Sequence, residues 1–139
     1  MIKQQMITVQ TEGRGTINIT REIEQVLRSC GVEQGLCHVF VHHTSASLII
    51  TENADSDVRR DLENFVAKLV LDGDPAYHHD QEGPDDMAAH IRSVLTQSEI
   101  TVPVQAGKLA LGIWQGLFLW EHRYRPHMRN LTVTLNGAP

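Results

Sequence analysis

The run Leu36-Cys37-His38-Val39-Phe40-Val41-His42-His43 limits the possible folds more than any other segment of this chain. In extended backbone alternate side chains point to opposite faces, so Cys37, Val39, Val41 and His43 share one face and Leu36, His38, Phe40 and His42 the other. Both faces are largely apolar, which predicts a strand in the middle of a sheet. The two histidines at its end mark the point where burial gives way to a pocket. Other short runs of strand character lie at 6–9, 16–19, 47–51, 100–104, 109–114, 117–123 and 130–135. The first two read as a hairpin or two adjacent strands. Pro103 favours a sheet edge or strand end, and Gly112 and Gly116 make 109–123 either two strands or one long kinked strand.

Three segments have helical period instead. From Thr20, a plausible N-cap, Ile23, Val26, Leu27 and Cys30 form one apolar stripe, and Gly31 supplies the stop. Asp55 or Ser56 caps a second helix with Val58, Leu62, Phe65, Val66 and Leu69 as its stripe. Pro84-Asp85-Asp86 opens a third, running to about Thr96, with Met87, Ile91, Val94 and Leu95 facing inward. Strands outnumber helices by more than two to one and are joined by turns. The expected fold is therefore α+β: one domain over residues 1–139, a mainly antiparallel β-sandwich with about three short helices.

Composition removes several classes of function. A formal net charge of −5 argues against a nucleic-acid partner, which needs a basic face. The first residues lack the apolar stretch of a signal peptide, and no window approaches the roughly 18 apolar residues of a membrane span, so a cytoplasmic location without membrane contact is expected. Cys30 and Cys37 match no metal or redox spacing and read as reduced, packed thiols. No Gly-rich loop lies between a strand and a helix, so nucleotide-phosphate loops have no support.

The chemistry concentrates between Tyr77 and His90. His78, His79 and His90 stand there among Asp80, Glu82, Asp85 and Asp86, with no Lys or Arg. Imidazole and carboxylate are the ligands divalent metals take and the groups that move protons near neutral pH. His90 is one helical turn after Asp86, where a carboxylate can hold the ring or share its ligand. If the fold brings them to His43, a site exists. Ser45 and Ser47 lack the Gly-flanked elbow of hydrolases and read as a turn or an anion cradle. Glu121 shares the apolar face of Leu117 and Leu119, so it is either a buried ion-pair member or part of the site. Arg123 could grip a phosphate.

Four separated stretches then occur in one order: 43–48, 52–55, 79–90 and 107–123. Together they closely resemble the YjbQ family, whose members carry the label secondary thiamine-phosphate synthase enzyme. The resemblance runs from about Ile7 to Leu135 and departs from the family pattern at His42 and His78. It implies a β-rich α+β homotrimer with a polar pocket near a subunit boundary, lined by His43, His79, His90 and Glu121. It also implies joining a pyrimidine diphosphate to a thiazole phosphate with release of pyrophosphate.

The expectation that results is a small enzyme of the transferase type acting on a phosphorylated or pyrophosphorylated small molecule. A divalent metal, magnesium or zinc, would be held by His43, His79 and His90. Catalytic work would fall to His43, His90 and Glu121 with Asp86 orienting His90, and substrate phosphate to Ser45, Ser47, Asn53 and Arg123. The rival expectation is a non-catalytic metal- or metabolite-binding trimer.

Overall fold

The computed structural model describes residues 1–139. The elements are β1 (Ile2–Gln10), β2 (Gly15–Asn18), α1 (Thr20–Cys30), β3 (Gln34–Val41), β4 (Ala46–Glu52), α2 (Ser56–Leu69), α3 (Asp86–Leu95), β5 (Glu99–Gln105), β6 (Lys108–Leu109), β7 (Gln115–Glu121) and β8 (Met128–Ala138). One sheet has the order β1-β8-β3-β5-β6 and the other β2-β7-β4. Every strand pairing is antiparallel. β3 is central, flanked by β8 and β5, as its two apolar faces require.

The inner faces of the two sheets make the core. Cys37, Val39 and Val41 of β3 meet Leu131, Val133 and Leu135 of β8 and Leu117 and Leu119 of β7, all buried. α1 closes this layer with Ile23, Val26, Leu27 and Cys30, and its Gly31 takes the left-handed conformation that sends its N–H to Leu27 O. Both cysteines are buried free thiols, and burial pushes Cys37 up to about 12. No helix is long and apolar enough to cross a membrane.

Several local expectations give way to tertiary demands. β1 and β2 do not form a hairpin, because β1 pairs with β8 and β2 with β7 in the other sheet. Only Leu109 of the 109–114 run joins a strand, together with Lys108 in the short β6. Thr20 does not cap α1: its hydroxyl accepts from Leu117 N at 2.9 Å, and the N-cap position falls to Ile19. Asp55 does cap α2 through Asp57 N, but that helix buries no residue fully and leaves Phe65 66% exposed. The largest change is on α3. Its inward face is Asp86, Ala88, Ala89 and Arg92, while Val94 is 83% exposed. Two alanines let the helix approach β4, and Arg92 reaches buried polar partners, so the helix turns away from its own larger apolar side chains.

The outer face of the five-stranded sheet stays open, with Met6, Leu36, Phe40 and Met128 exposed. At the far end of that sheet Gly35 and Gly137 face each other across β3 and β8. A Cβ on Gly35 would lie 2.2 Å from Asn136 O and 2.6 Å from Gly137 Cα. Gly35→Ala should therefore destabilise the protein by about 2 kcal/mol or more, because backbone has to part. Urea unfolding of this variant beside Lys108→Ala, an exposed control, checks it.

Candidate metal centre and adjoining pocket

The loop after α2 brings His79 over the first turn of α3, where Asp86 and His90 project one turn apart. His79 Nε2 lies 2.6 Å from Asp86 Oδ2, and His90 Nε2 lies 3.2 Å from the same oxygen. The ligand atoms of the three residues all fall within 4.8 Å of one another. His90 Nδ1–H donates to Thr44 O at 3.0 Å, so the nitrogen facing Asp86 is the one a neutral ring leaves unprotonated. A lone pair against a carboxylate oxygen is repulsive. That approach is favourable only with a proton or a cation between the two. Two imidazole nitrogens and one carboxylate oxygen are donors that could hold a divalent ion, and the same donor set occurs in catalytic zinc sites.

Asp86 is fixed from its other side. Arg123 Nη1 donates to Asp86 Oδ1 at 2.8 Å, its Nε to Asp85 Oδ2 at 2.9 Å and its Nη2 to Glu82 O at 2.9 Å. Burial alone would raise the Asp86 carboxyl, but the hydrogen bond from His79 and the charges of His90 and Arg123 outweigh it and hold it below the usual range. The phosphate grip expected of Arg123 is therefore taken up within the protein, with all three of its nitrogens committed to the acidic loop and the start of α3.

His43 stands beside this cluster rather than in it. Asn130 N donates to His43 Nε2 at 2.8 Å, which commits one nitrogen to β8 and leaves the proton on Nδ1. Burial and then the Arg129 charge hold its pKa below the ordinary histidine range. His43 and His90 together line a cavity of ≈ 480 Å³ with Thr44, Ser93, Thr96 and Ser98. Ala46 and Val94 complete its wall. Of the three residues read as metal ligands, His79 and His90 come together, with Asp86 as the third donor beside them, and His43 does not join that group.

The remaining candidates are placed elsewhere. Glu121 is fully buried, and accepts from Thr11 at 2.7 Å, from Arg129 Nε at 2.8 Å, from Arg129 Nη2 and from Arg123 N at 3.1 Å. It is the ion-pair member of the two alternatives, and with its oxygens so occupied it has no room for acid–base work. Burial would raise its carboxyl, but the bonds from Arg129, Thr11 and Arg123 keep it low. Ser45 accepts from Arg129 at 3.0 Å. Asn53 follows the opposite end of β4, where it binds Ile113 O and Gln115 O, so it is not brought to the cluster.

Ser47 meets a histidine the composition did not single out. His122 Nε2 is 2.7 Å from Ser47 Oγ, both residues fully buried, which looks like a nucleophile and its base. Arg92 Nε donates to His122 Nδ1 at 2.9 Å, so Nε2 carries the proton and donates to the serine. Burial, with Arg92, Arg14 and Arg129 nearby, holds His122 down to about 2. A ring that cannot accept a proton is no base. Arg92 in turn is clamped by both oxygens of Glu63 at 2.7 Å.

This ring has a consequence for stability. Its folded value lies far below the unfolded value near 6.5, so below pH 6.5 the unfolded chain binds a proton that the folded chain refuses. Stability is then full above pH 6.5 and falls by about 1.4 kcal/mol per pH unit as pH drops. His43 adds in the same direction, whereas the depressed carboxylates Asp85, Asp86 and Glu121 act only in the lower range where unfolded carboxyls titrate. Urea unfolding between pH 7.5 and 5 should show that slope, and His122→Gln should flatten it whatever its own stability; an unchanged slope in the variant would refute the assignment.

Comparison with known proteins places these features in a family. The family model described as "UPF0047 protein YjbQ-like" matches residues 5–138. The UPF0047 protein sll1880 of Synechocystis is 51% identical over 134 residues, which cover 96% of this chain and 91% of that one. The UPF0047 protein YjbQ of Salmonella typhimurium is 44% identical, covering 96% and 97%. Among solved structures, a conserved hypothetical protein from Thermus thermophilus superposes with a TM-score of 0.86 at 35% identity, covering 95% of this chain and 99% of that one. A YbjQ-like protein of unknown function from Sulfolobus solfataricus has the same TM-score at 24% identity, covering 99% of each chain, and so shares the fold. The single-domain α+β sandwich with its histidine-bearing loop and third helix is a member of the YjbQ-like UPF0047 family.

Proposed function

We propose that this protein is a metal-dependent enzyme acting on a small phosphorylated molecule, with the ion held by His79, Asp86 and His90. The observation that carries this reading is the convergence of two imidazole nitrogens on one oxygen of Asp86, with His90 Nδ1–H tied to Thr44 O. Two nitrogen donors favour zinc or a similar transition ion over magnesium, which prefers oxygen. When bound, the ion would supply positive charge to a phosphate or lower the pKa of a bound water. Arg123 holds Asp86, Thr44 orients His90, and the cavity beside them accommodates the rest of the substrate. His43 Nδ1–H and the Thr44 hydroxyl would position it. Thiamine-phosphate synthesis is the concrete form that the family resemblance suggests.

A second reading, a binding module without turnover, is favoured by one observation. Besides His90, the only titratable side chain lining the cavity is His43, and one of its nitrogens is already committed. We further propose a homotrimer that uses the open face of the five-stranded sheet, since Met6, Leu36, Phe40 and Met128 expose apolar surface there. Phe40→Asp should then yield monomers in light scattering, and a monomeric parent protein would remove that proposal.

Metal analysis and zinc titration separate these readings. Asp86→Ala and His90→Ala should each weaken zinc at least about a hundredfold, while His43→Ala should retain zinc and lose turnover of a phosphorylated substrate. Equal zinc affinity in all three variants would overturn the ligand set. Zinc binding with no turnover of thiazole phosphate plus pyrimidine diphosphate, or of other phosphate esters, would favour the binding module.

A further inference from the structure

The cavity beside His90 has a polarity that limits what it can hold. Its walls contain no Lys, Arg, Asp or Glu. The guanidinium groups around it are turned to other work: Arg123 to Glu82, Asp85 and Asp86, and Arg129 to Glu121 and Ser45. Arg92 lies on the same helix but is fully buried behind Glu63 and His122. An anionic group inside the cavity would therefore find only neutral donors.

The direction of α3 adds to this. Asp86 stands at its N-terminus and His90 at its middle, whereas Ser93, Val94 and Thr96 line the cavity at its C-terminal end. The last carbonyls of a helix carry partial negative charge, favouring a cation or a hydrogen-bond donor and disfavouring an anion. From Asp86 to Thr96 the helix advances about 15 Å, long enough to separate the two ends of a small ester. His90 belongs to both the metal cluster and the cavity, so one molecule can span them.

We propose that the cavity takes the uncharged or cationic organic part of a phosphomonoester whose phosphate meets the metal, and that it rejects a second anionic group. This rests on the metal reading above. It deepens that reading by naming the charge distribution of the substrate: anionic at one end, neutral or positive at the other, with ring nitrogens or hydroxyls for His43 Nδ1–H, Thr44 and Ser98 to meet.

The test uses zinc-loaded protein at low ionic strength and three rigid probes that differ only at the far end: benzyl phosphate, 4-aminomethylbenzyl phosphate and 4-carboxybenzyl phosphate. The para position keeps the extra group from reaching the metal. Calorimetry should rank the aminomethyl probe tightest, with the carboxy probe at least about tenfold weaker. Val94→Lys, at an exposed position on the cavity rim, should tighten the carboxy probe at least about fivefold. Equal or reversed affinities, no binding of any probe, or an unchanged order in the Val94→Lys protein would each overturn the proposal. A separate zinc titration distinguishes these from failure of the metal reading, in which zinc itself does not bind.

Discussion

The ion pair between Glu121 at the end of β7 and Arg129 near the start of β8 joins the small sheet to the large one at the end where the histidines gather. Both partners are buried, so neither charge can be left without the other. From this pair the geometry of the site follows. Arg129 also binds Ser45 O and Ser45 Oγ, which fixes the turn after β3. The residue after it, Asn130, donates to His43, and the residue before Ser45 offers the carbonyl that orients His90. A structural salt bridge thus sets the direction of two site imidazoles without touching a substrate itself.

A second group of buried charges explains why α3 sits as it does. Its first turn is held by Arg123 through Asp85 and Asp86, and its last by Arg92 through Glu63 and His122. Between these anchors lie Ala88 and Ala89, small enough to bring the helix against β4. A fully buried Arg without its carboxylate would cost several kcal/mol, more than leaving Val94 and Leu95 in water. The charged contacts win. Asp86, on that inward stripe, and His90 beside it are turned toward His79 as a result.

That balance also marks how far the residues alone could be read. Alternation along β3 and β8 is a direct record of which side faces the core, so the sandwich, the central strand and the stripe of α1 were legible. Asp86 and His90 were legible as neighbours because helical spacing is local. The facing of α3 was not: a count of apolar side chains favours Met87, Ile91, Val94 and Leu95, and nothing local reveals that Arg92 finds Glu63 across the fold. The same limit hid the role of His122, whose partners Ser47 and Arg92 lie 75 and 30 residues away. Glu121 could be narrowed to two roles by its apolar face, and only the position of Arg129 decides between them.

His90 and His122 show what burial does to identical chemistry. Each ring has one nitrogen assigned by a firm partner, Thr44 O for His90 and Arg92 for His122. In His122 that partner is a donor, so the other nitrogen keeps its proton and the ring is locked as a neutral strut. In His90 the partner is an acceptor, so the other nitrogen is the lone pair, and it is aimed at a carboxylate in a half-exposed position. That arrangement needs a donor between the two atoms. Asp86 cannot serve as one while Arg123 and His79 hold it ionised. A proton on His90 would turn that approach into an ion pair with Asp86, just as the 2.6 Å contact from His79 to the same oxygen has the length of a charge-assisted hydrogen bond.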